Sequence, residues 1–472
     1  MRIKLLAFLF FVGLCSFAQD STEVFQDEVE IDTATVVISE ESNFSNEIIN
    51  SKSIHNFYQK LAQLEKTKNC KLRIVHIGDS HIQADLFTGK MRSLLQERFG
   101  NGGLGFSFPY NLAKTNGNYF IKYSATTSFE SYRNIYSDTT KLVGLSGIAL
   151  ETRAKDFAIE LSVRDKSFSF NTIKVITPNN KKLFDLATAS KEIKIESSVP
   201  KTIVHKIKKG EAISIIADKY NVSITALKKA NGLKNNNIQA GKTLKIPTNE
   251  MQPQTISRKE FLPLELYQDK FSHNYYSNDL LEKIYLIPSE NKENYALNGV
   301  VLENNNSGIV YNAIGVNGAK ATDYNKFPMF FNQLKSLEAD LVVISLGTNE
   351  SFDKHDATTY FTNLNEMILA IKSKNPAAEI LVTTPPPSLF KRKYPNTIVA
   401  DYSRILLEKA EENNFAVWNM FEALGGLYSV NKNFSKGYMS KDKVHYSKAG
   451  YELQGTLFYE ALFNSYEDLI HE

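Results

Sequence analysis

Apolar and polar positions follow distinct rhythms along the chain, and the changes of rhythm divide it. In IHNFYQKLAQLEK, the spacing of Ile54, Phe57, Leu61 and Leu64 predicts an amphipathic helix. The mostly apolar segment LRIVHI at 72–77 predicts a buried strand, and the segment from Ser80 to about Phe99 predicts a helix. After a glycine-rich loop, GNGGLGFSFPY, runs such as FAIELSV, FSFNTIKVI and KEIKIES alternate apolar and polar residues between about 119 and 198. That alternation describes half-buried antiparallel strands, and it returns in EKIYLIP and ALNGVVLEN. From about Val310 the first rhythm resumes, with strands IVYNAIG, DLVVISLG, EILVTT and AVWNM interleaved with helical segments such as FNQLKSLEA and SRILLEKAEENNF. Strands alternating with helices predict a parallel sheet covered on both faces, built from the opening and closing stretches of the chain.

The opening residues differ in kind. MRIKLLAFLFFVGLCSFAQD has a basic start, an apolar run at 5–14, and Ser16 and Ala18 before Gln19, the pattern of a secretory signal peptide over 1–18. Leu14 precedes Cys15 where a bacterial lipoprotein signal needs a small residue, so a soluble exported product is expected, in the periplasm, the cell envelope or the medium. Residues 19–50 are acidic and polar and read as a linker. Cleavage leaves Cys70 as the one thiol, which excludes an internal disulfide and a cysteine zinc site. With 55 basic against 52 acidic residues among 472, nothing points to nucleic acid. No set of histidines has metal-ligand spacing, so no metal site is assigned.

The alternating region is interrupted by a module at 203–247 that contains VHKIKKGEAISIIADKYNVSITALKKANGLKNNNIQAGKTLKIP, Val204 to Pro247, which reads strand, helix, helix, loop, strand. It resembles the LysM module, with Gly210, Ile216, Ala217, Tyr220, Val222, Leu227, Asn231, Ile238, Gly241, Leu244, Ile246 and Pro247 where that module has them. The resemblance implies binding of N-acetylglucosamine-containing glycans such as peptidoglycan, through Gly210, Glu211, Ala212 and Ile213 of the first loop and Asn236, Asn237 and Ile238 of the second. The first loop departs from the usual Gly-Asp-Thr: Ala212 lacks a hydroxyl for a sugar hydrogen bond. Most matching positions are core and turn residues, which speak for a fold more than for a working site.

At the ends of strands stand residues with complementary chemistry. Ser80, in GDSH, reads either as a nucleophile or as a helix N-cap. His445 supplies a base for its proton, and Asp442, three residues earlier, can fix the imidazole tautomer. An oxyanion would find donors in the Ser80 N–H, the Gly318 N–H and the Asn349 amide. His81 either lines the pocket or caps the helix, and the loops 385–388 and 100–105 lie where they would border the cleft. The blocks GDSH, NGA, GTNE and DKVH resemble those of the SGNH branch of the GDSL hydrolases, and within it the peptidoglycan O-acetylesterase-like branch, which carries a β-rich insertion between the first two blocks.

That resemblance implies an α/β, three-layer α/β/α flavodoxin-like fold, ester hydrolysis through an acyl-serine, and no metal or organic cofactor. The expected organisation is a first hydrolase segment at 51–118, the inserted β-rich module at 119–309 with the LysM-like module at 203–247 inside it, and a second hydrolase segment at 310–472. The expected function is an exported serine esterase that removes O-acetyl groups from peptidoglycan or a related glycan. An SGNH esterase on other acetylated polysaccharides or small esters is the alternative enzyme, and a non-catalytic wall-binding protein the alternative of another class. No transmembrane segment is expected after signal cleavage.

Overall fold

A computed structural model of the chain describes residues 46–290 and 292–471. The expected signal peptide and residues 19–45 of the expected linker lie outside the described residues. Of the rest of that linker, Ile48–Ile49 is a strand, because Ile48 is buried opposite Trp418 at the edge of a six-stranded sheet.

Five parallel strands form the frame of that sheet. In spatial order they are Gly308–Gly315, Lys71–Gly78, Leu341–Ser345, Glu379–Thr383 and Ala416–Trp418, with Ile48–Ile49 antiparallel at the far edge. Counted along the chain, the parallel strands run 2-1-3-4-5. This doubly wound order places its switch point between Lys71–Gly78 and Leu341–Ser345, where ligands gather at the carboxyl ends of strands.

Alternate residues of these strands face opposite layers, so both faces must be apolar. Leu72, Ile74, Val343, Leu381 and Trp418 pack against the helices His55–Thr67, Leu86–Phe99 and Lys448–His471, with Trp418 stacked on Phe458 at 4.8 Å. Val75, Ile77, Val342, Ile344 and Val382 face Ala357–Lys374 and Thr397–Lys409 through Leu364, Met367 and Leu406. The result is a three-layer α/β/α arrangement.

Where the sequence predicts one helix after the first parallel strand, the chain makes two, Ser80–Gln83 and Leu86–Phe99. Asp85 between them is left-handed (φ 58°), and its buried carboxylate takes the Arg92 guanidinium at 2.8 and 2.9 Å, a demand that helical spacing does not reveal.

The insertion forms two five-stranded antiparallel sheets and a three-stranded one. Inward residues such as Leu161, Leu186, Ile173 and Val300 join the same apolar core as one face of the hydrolase sheet. One of its strands, Gly105–Ser107, pairs with Gly299–Glu303 and so lies before the expected start at 119. The glycine-rich loop 100–105 does not border the strand ends that carry Ser80. Asn101 bridges Ile309, and Ile309 is the partner of Leu72 near the start of both strands, because the preceding helix has carried the chain back to the opposite end of the sheet.

The small βααβ module hangs from one hairpin of the insertion. Phe184–Ala189 and Phe261–Leu264 are antiparallel neighbours with Ala189 opposite Phe261, and the chain leaves and returns there. Val199–Lys206 pairs with Thr243–Gln252, with helices Ile213–Lys219 and Ile224–Asn231 between, around Ile207, Ile213, Ile216, Leu227, Leu244 and Ile246. None of these residues belongs to the main core. No helix among the described residues is long and apolar enough to cross a membrane.

A module with its own core and adjacent ends should be removable. Replacing residues 199–252 with an Asn-Gly turn is expected to leave soluble protein with unchanged turnover of a small aryl acetate, because Val199 and Gln252 are cross-strand partners. Insoluble or inactive protein would show that the module supports the hydrolase fold.

Candidate active site

The strand Lys71–Gly78 ends in a corner that only a small residue can make. A Cβ on Gly78 would lie 2.4 Å from Ile82 Cγ1 and 2.7 Å from the Ser345 carbonyl oxygen. Asp79 follows as the cap of the one-turn helix, its Oδ1 accepting from the His81 N–H at 2.9 Å. Capping is therefore the task of Asp79, and the Ser80 hydroxyl is left for His445, with Oγ 2.9 Å from Nε2.

His445 and Asp442 stand in the turn before the last helix. His445 Nδ1 is 2.7 Å from Asp442 Oδ2, and Asp442 Oδ1 accepts from the backbone N–H groups of Val444 and His445 at 2.9 and 3.0 Å. Burial pushes the Asp442 carboxyl up, but the His445 ring and the two N–H groups outweigh it and hold it at about 2. Burial pushes His445 down, but its bond to Asp442 and the charges of Asp442 and Asp79 raise it above its ordinary 6.5. An imidazole so held has the chemistry to take a proton from a hydroxyl at Nε2 and to give it back once protonated.

Behind this pair lies a second imidazole with the opposite character. His81 is 5% exposed, its ring centre 5.3 Å from that of His445 and its Nδ1 2.9 Å from the Tyr451 hydroxyl. Burial, with repulsion from His445, pushes it down to about 3, so it stays neutral and does not compete for the proton.

Gly318 stands exposed at the end of the neighbouring strand with φ 83°, in the left-handed region that favours glycine. Among the described residues neither its N–H nor that of Ser80 takes a partner, which leaves two donors for a developing oxyanion. Both amide hydrogens of Asn349 are engaged in this structure, with Asp79 Oδ2 at 3.1 Å and the Ala319 carbonyl at 3.0 Å. The reason is Asp79, a fully buried carboxyl that needs donors and that burial raises to about 7. The next residue, Glu350, accepts from the Ala321 N–H at 2.9 Å, so Asn349 and Glu350 together hold the loop that carries Gly318.

Sequence reasoning missed this pairing of Asp79 with Asn349, and it missed Gln83. The Gln83 amide accepts from the Asn317 N–H at 2.6 Å and donates to Thr115 and Asn116, lashing the loop after Tyr110 to the site. The one advance signal was an amide one helical turn beyond Ser80. The loop 385–388 is buried: Pro385 and Pro386 line a small cavity with His81, Pro387 accepts from the Tyr446 hydroxyl and Ser388 from Asn396.

In the small module, the expected glycan residues separate into two groups. Gly210, Asn236 and Asn237 are exposed, and so is Ala212. Ile213 is core and Ile238 packs against that core, while Glu211 accepts from His205 Nε2 at 2.8 Å and the Lys208 N–H at 2.7 Å, closing its own loop.

Comparison with known proteins speaks to the domains and the fold. Residues 289–453 match the GDSL-like lipase/acylhydrolase family and residues 205–247 the LysM domain. No curated protein sequence matches the chain significantly. A solved peptidoglycan O-acetylesterase shares its fold at TM-score 0.61 and 20% identity, over 89% of this chain and 97% of that one. A lipase/acylhydrolase from Enterococcus faecalis matches at TM-score 0.28 and 23% identity, over 34% of this chain and 77% of its own. The chain thus carries a GDSL-type hydrolase domain and a LysM domain. Ser80 precedes the matched hydrolase stretch, and folding brings it to His445.

The imidazoles should titrate apart. By proton NMR, His445 is expected to titrate above 6.5, while His76 and His81, both pushed by burial to about 3, should stay neutral between pH 4 and 8. Below 6.5 an unfolded chain takes up protons at those two buried rings that the folded chain refuses, so they make the fold less stable as pH falls. The His445–Asp442 pair has the opposite sign on its histidine side, its contribution complete below 6.5 and fading as pH rises through the folded value. Asp442→Asn should lower the His445 titration; no change would contradict the assigned cause.

Proposed function

We propose that this GDSL-type esterase removes O-acetyl groups from peptidoglycan or a closely related cell-envelope glycan, through an acyl-serine on Ser80, after export. The observation that carries the reaction is the unbroken hydrogen-bonded line from Ser80 Oγ through His445 to Asp442. Support for the substrate comes from the LysM domain on the same chain and from the fold shared with a peptidoglycan O-acetylesterase.

In the first half-reaction Ser80 Oγ attacks the acetyl carbonyl while His445 Nε2 takes its proton, and Asp442 stabilises the imidazolium. The oxyanion is held by the Ser80 and Gly318 N–H groups, with Asn349 as a third donor once it exchanges its bond to Asp79 for the substrate. His445 then gives that proton to the sugar oxygen as its bond to the acetyl carbon breaks, so that the sugar leaves as a free hydroxyl. In the second half-reaction His445 deprotonates water, which attacks the acetyl-serine; the Ser80 Oγ–acyl bond then breaks, His445 returns the proton to Ser80 Oγ, and acetate leaves. The LysM domain, through Gly210, Ala212, Asn236 and Asn237, keeps the esterase concentrated on its polymer. A short apolar run followed by Ala18 supports export through the signal over residues 1–18.

Ala212, with no hydroxyl to offer, together with Glu211 and Ile213 committed to the module itself, favours one second reading, in which the acetylated polysaccharide is not peptidoglycan.

Acetate release from O-acetylated peptidoglycan tests the substrate. The wild type should release it, base-treated wall should yield none, and Ser80→Ala should lose about 10⁴-fold or more while remaining folded. The rate on a small aryl acetate should rise with pH through the raised His445 titration, since only the neutral ring accepts the proton. Release from the wall by Ser80→Ala would overturn the mechanism, and turnover of the aryl acetate without release from the wall would favour the second reading.

A further inference from the structure

Away from the Ser80 corner, the insertion and the hydrolase domain enclose a cleft of about 540 Å³ between the insertion and the helix Pro328–Leu334. Its floor is rigid. Gln333, on that helix, accepts from the Leu145 N–H at 2.8 Å and donates to the Thr177 carbonyl and Asn298 Oδ1, both at 3.0 Å. The cleft is therefore formed in advance, at a domain junction and within the size range of ligand sites.

Its rim has an uneven charge. Lys141, Lys270 and Lys335 line it, and no carboxylate does. The acids near them in sequence have other partners as well. Asp138 accepts from the Thr140 N–H and also feels the Lys141 charge, Asp269 accepts from the N–H groups of Phe271 and Ser272, and Glu338 pairs with Arg73 and Lys174. Among the described residues none of the three lysines has an ion-pair partner; Lys141 lies 5.8 Å over the Tyr132 ring and Lys335 5.8 Å over that of Phe271. The wall adds amides and apolar surface. Asn179 and Asn180 are consecutive left-handed residues (φ 53° and 52°), a costly backbone for side chains; Asn180 donates its Nδ2 hydrogen to the Asp269 carbonyl at 2.7 Å, and its Oδ1 is buried with no partner. Phe271 and Met329 supply the apolar surface.

We propose that this cleft binds the carboxylate-bearing peptide stems attached to the glycan, an inference that rests on the peptidoglycan reading above. Such a stem presents short alkyl side chains, peptide N–H and C=O groups and several carboxylates. These are the complements of the phenyl and thioether surface, the exposed Asn179 amide and the three lysines. A phosphate-linked polymer would match the lysines but leave the amide and the apolar wall without partners. The glycan backbone engages the LysM domain and the acetyl group the Ser80 site, so stem binding adds a third attachment that fixes which region of the wall is presented to the esterase.

The test uses the full chain and soluble probes: a disaccharide-peptide wall fragment, the same disaccharide after amidase removes the peptide, the free peptide, and a glycerol-phosphate polymer. By calorimetry, Lys141→Gln/Lys270→Gln/Lys335→Gln should bind the peptide-bearing fragment and the free peptide about tenfold more weakly than wild type, three partly exposed charge contacts being lost. Affinity for the stripped disaccharide and turnover of an aryl acetate should not change. As a check without substitution, the free peptide should shield these three lysines of the wild type from acetylation. Equal affinity of both proteins for the peptide-bearing fragment, or preferential binding of the glycerol-phosphate polymer, would overturn the inference. Acetate release from wall with no peptide binding would sink the cleft alone; peptide binding without acetate release would sink the substrate reading and leave the cleft standing.

Discussion

The hydrogen bond between Ser80 Oγ and His445 Nε2 joins residues 365 positions apart, and much of the fold serves to make it. Ser80 is held by the corner after Lys71–Gly78, whose close approach to Ser345 and Ile82 requires Gly78. His445 precedes Lys448–His471, which packs with Leu86–Phe99 over the same sheet face. A parallel sheet with the 2-1-3-4-5 order brings both to one end, along with Gly318 and Asn349, although the chain between the first two parallel strands detours through the whole insertion. Between those strands the detour conserves register, since Gly308–Gly315 aligns with Lys71–Gly78 over all eight residues.

The electrostatics at that end depend on burial as much as on charge. His445 is 41% exposed on its side chain and borders two carboxyls, which raise it; His81, packed behind it at 5% exposure, is driven to neutrality. Asp79 and Glu350 are buried carboxyls raised to about 7, and both hold amide or backbone groups around the loop that carries Gly318. One face of the site therefore offers a proton acceptor and the other a set of donors, and the two are held by separate hydrogen-bond networks.

The legible features of the sequence were those whose signal is local. Glycine-containing corners after apolar runs announced Ser80, Gly318 and Asn349, and the three-residue spacing of Asp442 and His445 announced their contact. The periodicity change marked the insertion, and the βααβ order marked the LysM domain. What escaped were consequences of pairing through space. Asp85 breaks the first helix to meet Arg92, Ile48 completes a sheet edge with Trp418, and Asn349 turns its amide to Asp79. Glu211 and Ile213 look like surface residues in the sequence because they follow an exposed turn; only the folded module shows one closing the loop and the other filling the core.

If His445 and Asp442 are delivered across the fold in order to activate Ser80, that serine must become covalently acylated during turnover. The most direct measurement is rapid quenching of the full chain during turnover of an aryl acetate, followed by mass spectrometry of the peptide that contains Ser80. One acetyl group is expected on Ser80 in wild type at early times, its formation slowed in Asp442→Asn by about 10⁴-fold. Turnover with Ser80 never acetylated, or acetyl groups found on another residue at the same rate, would contradict this mechanism.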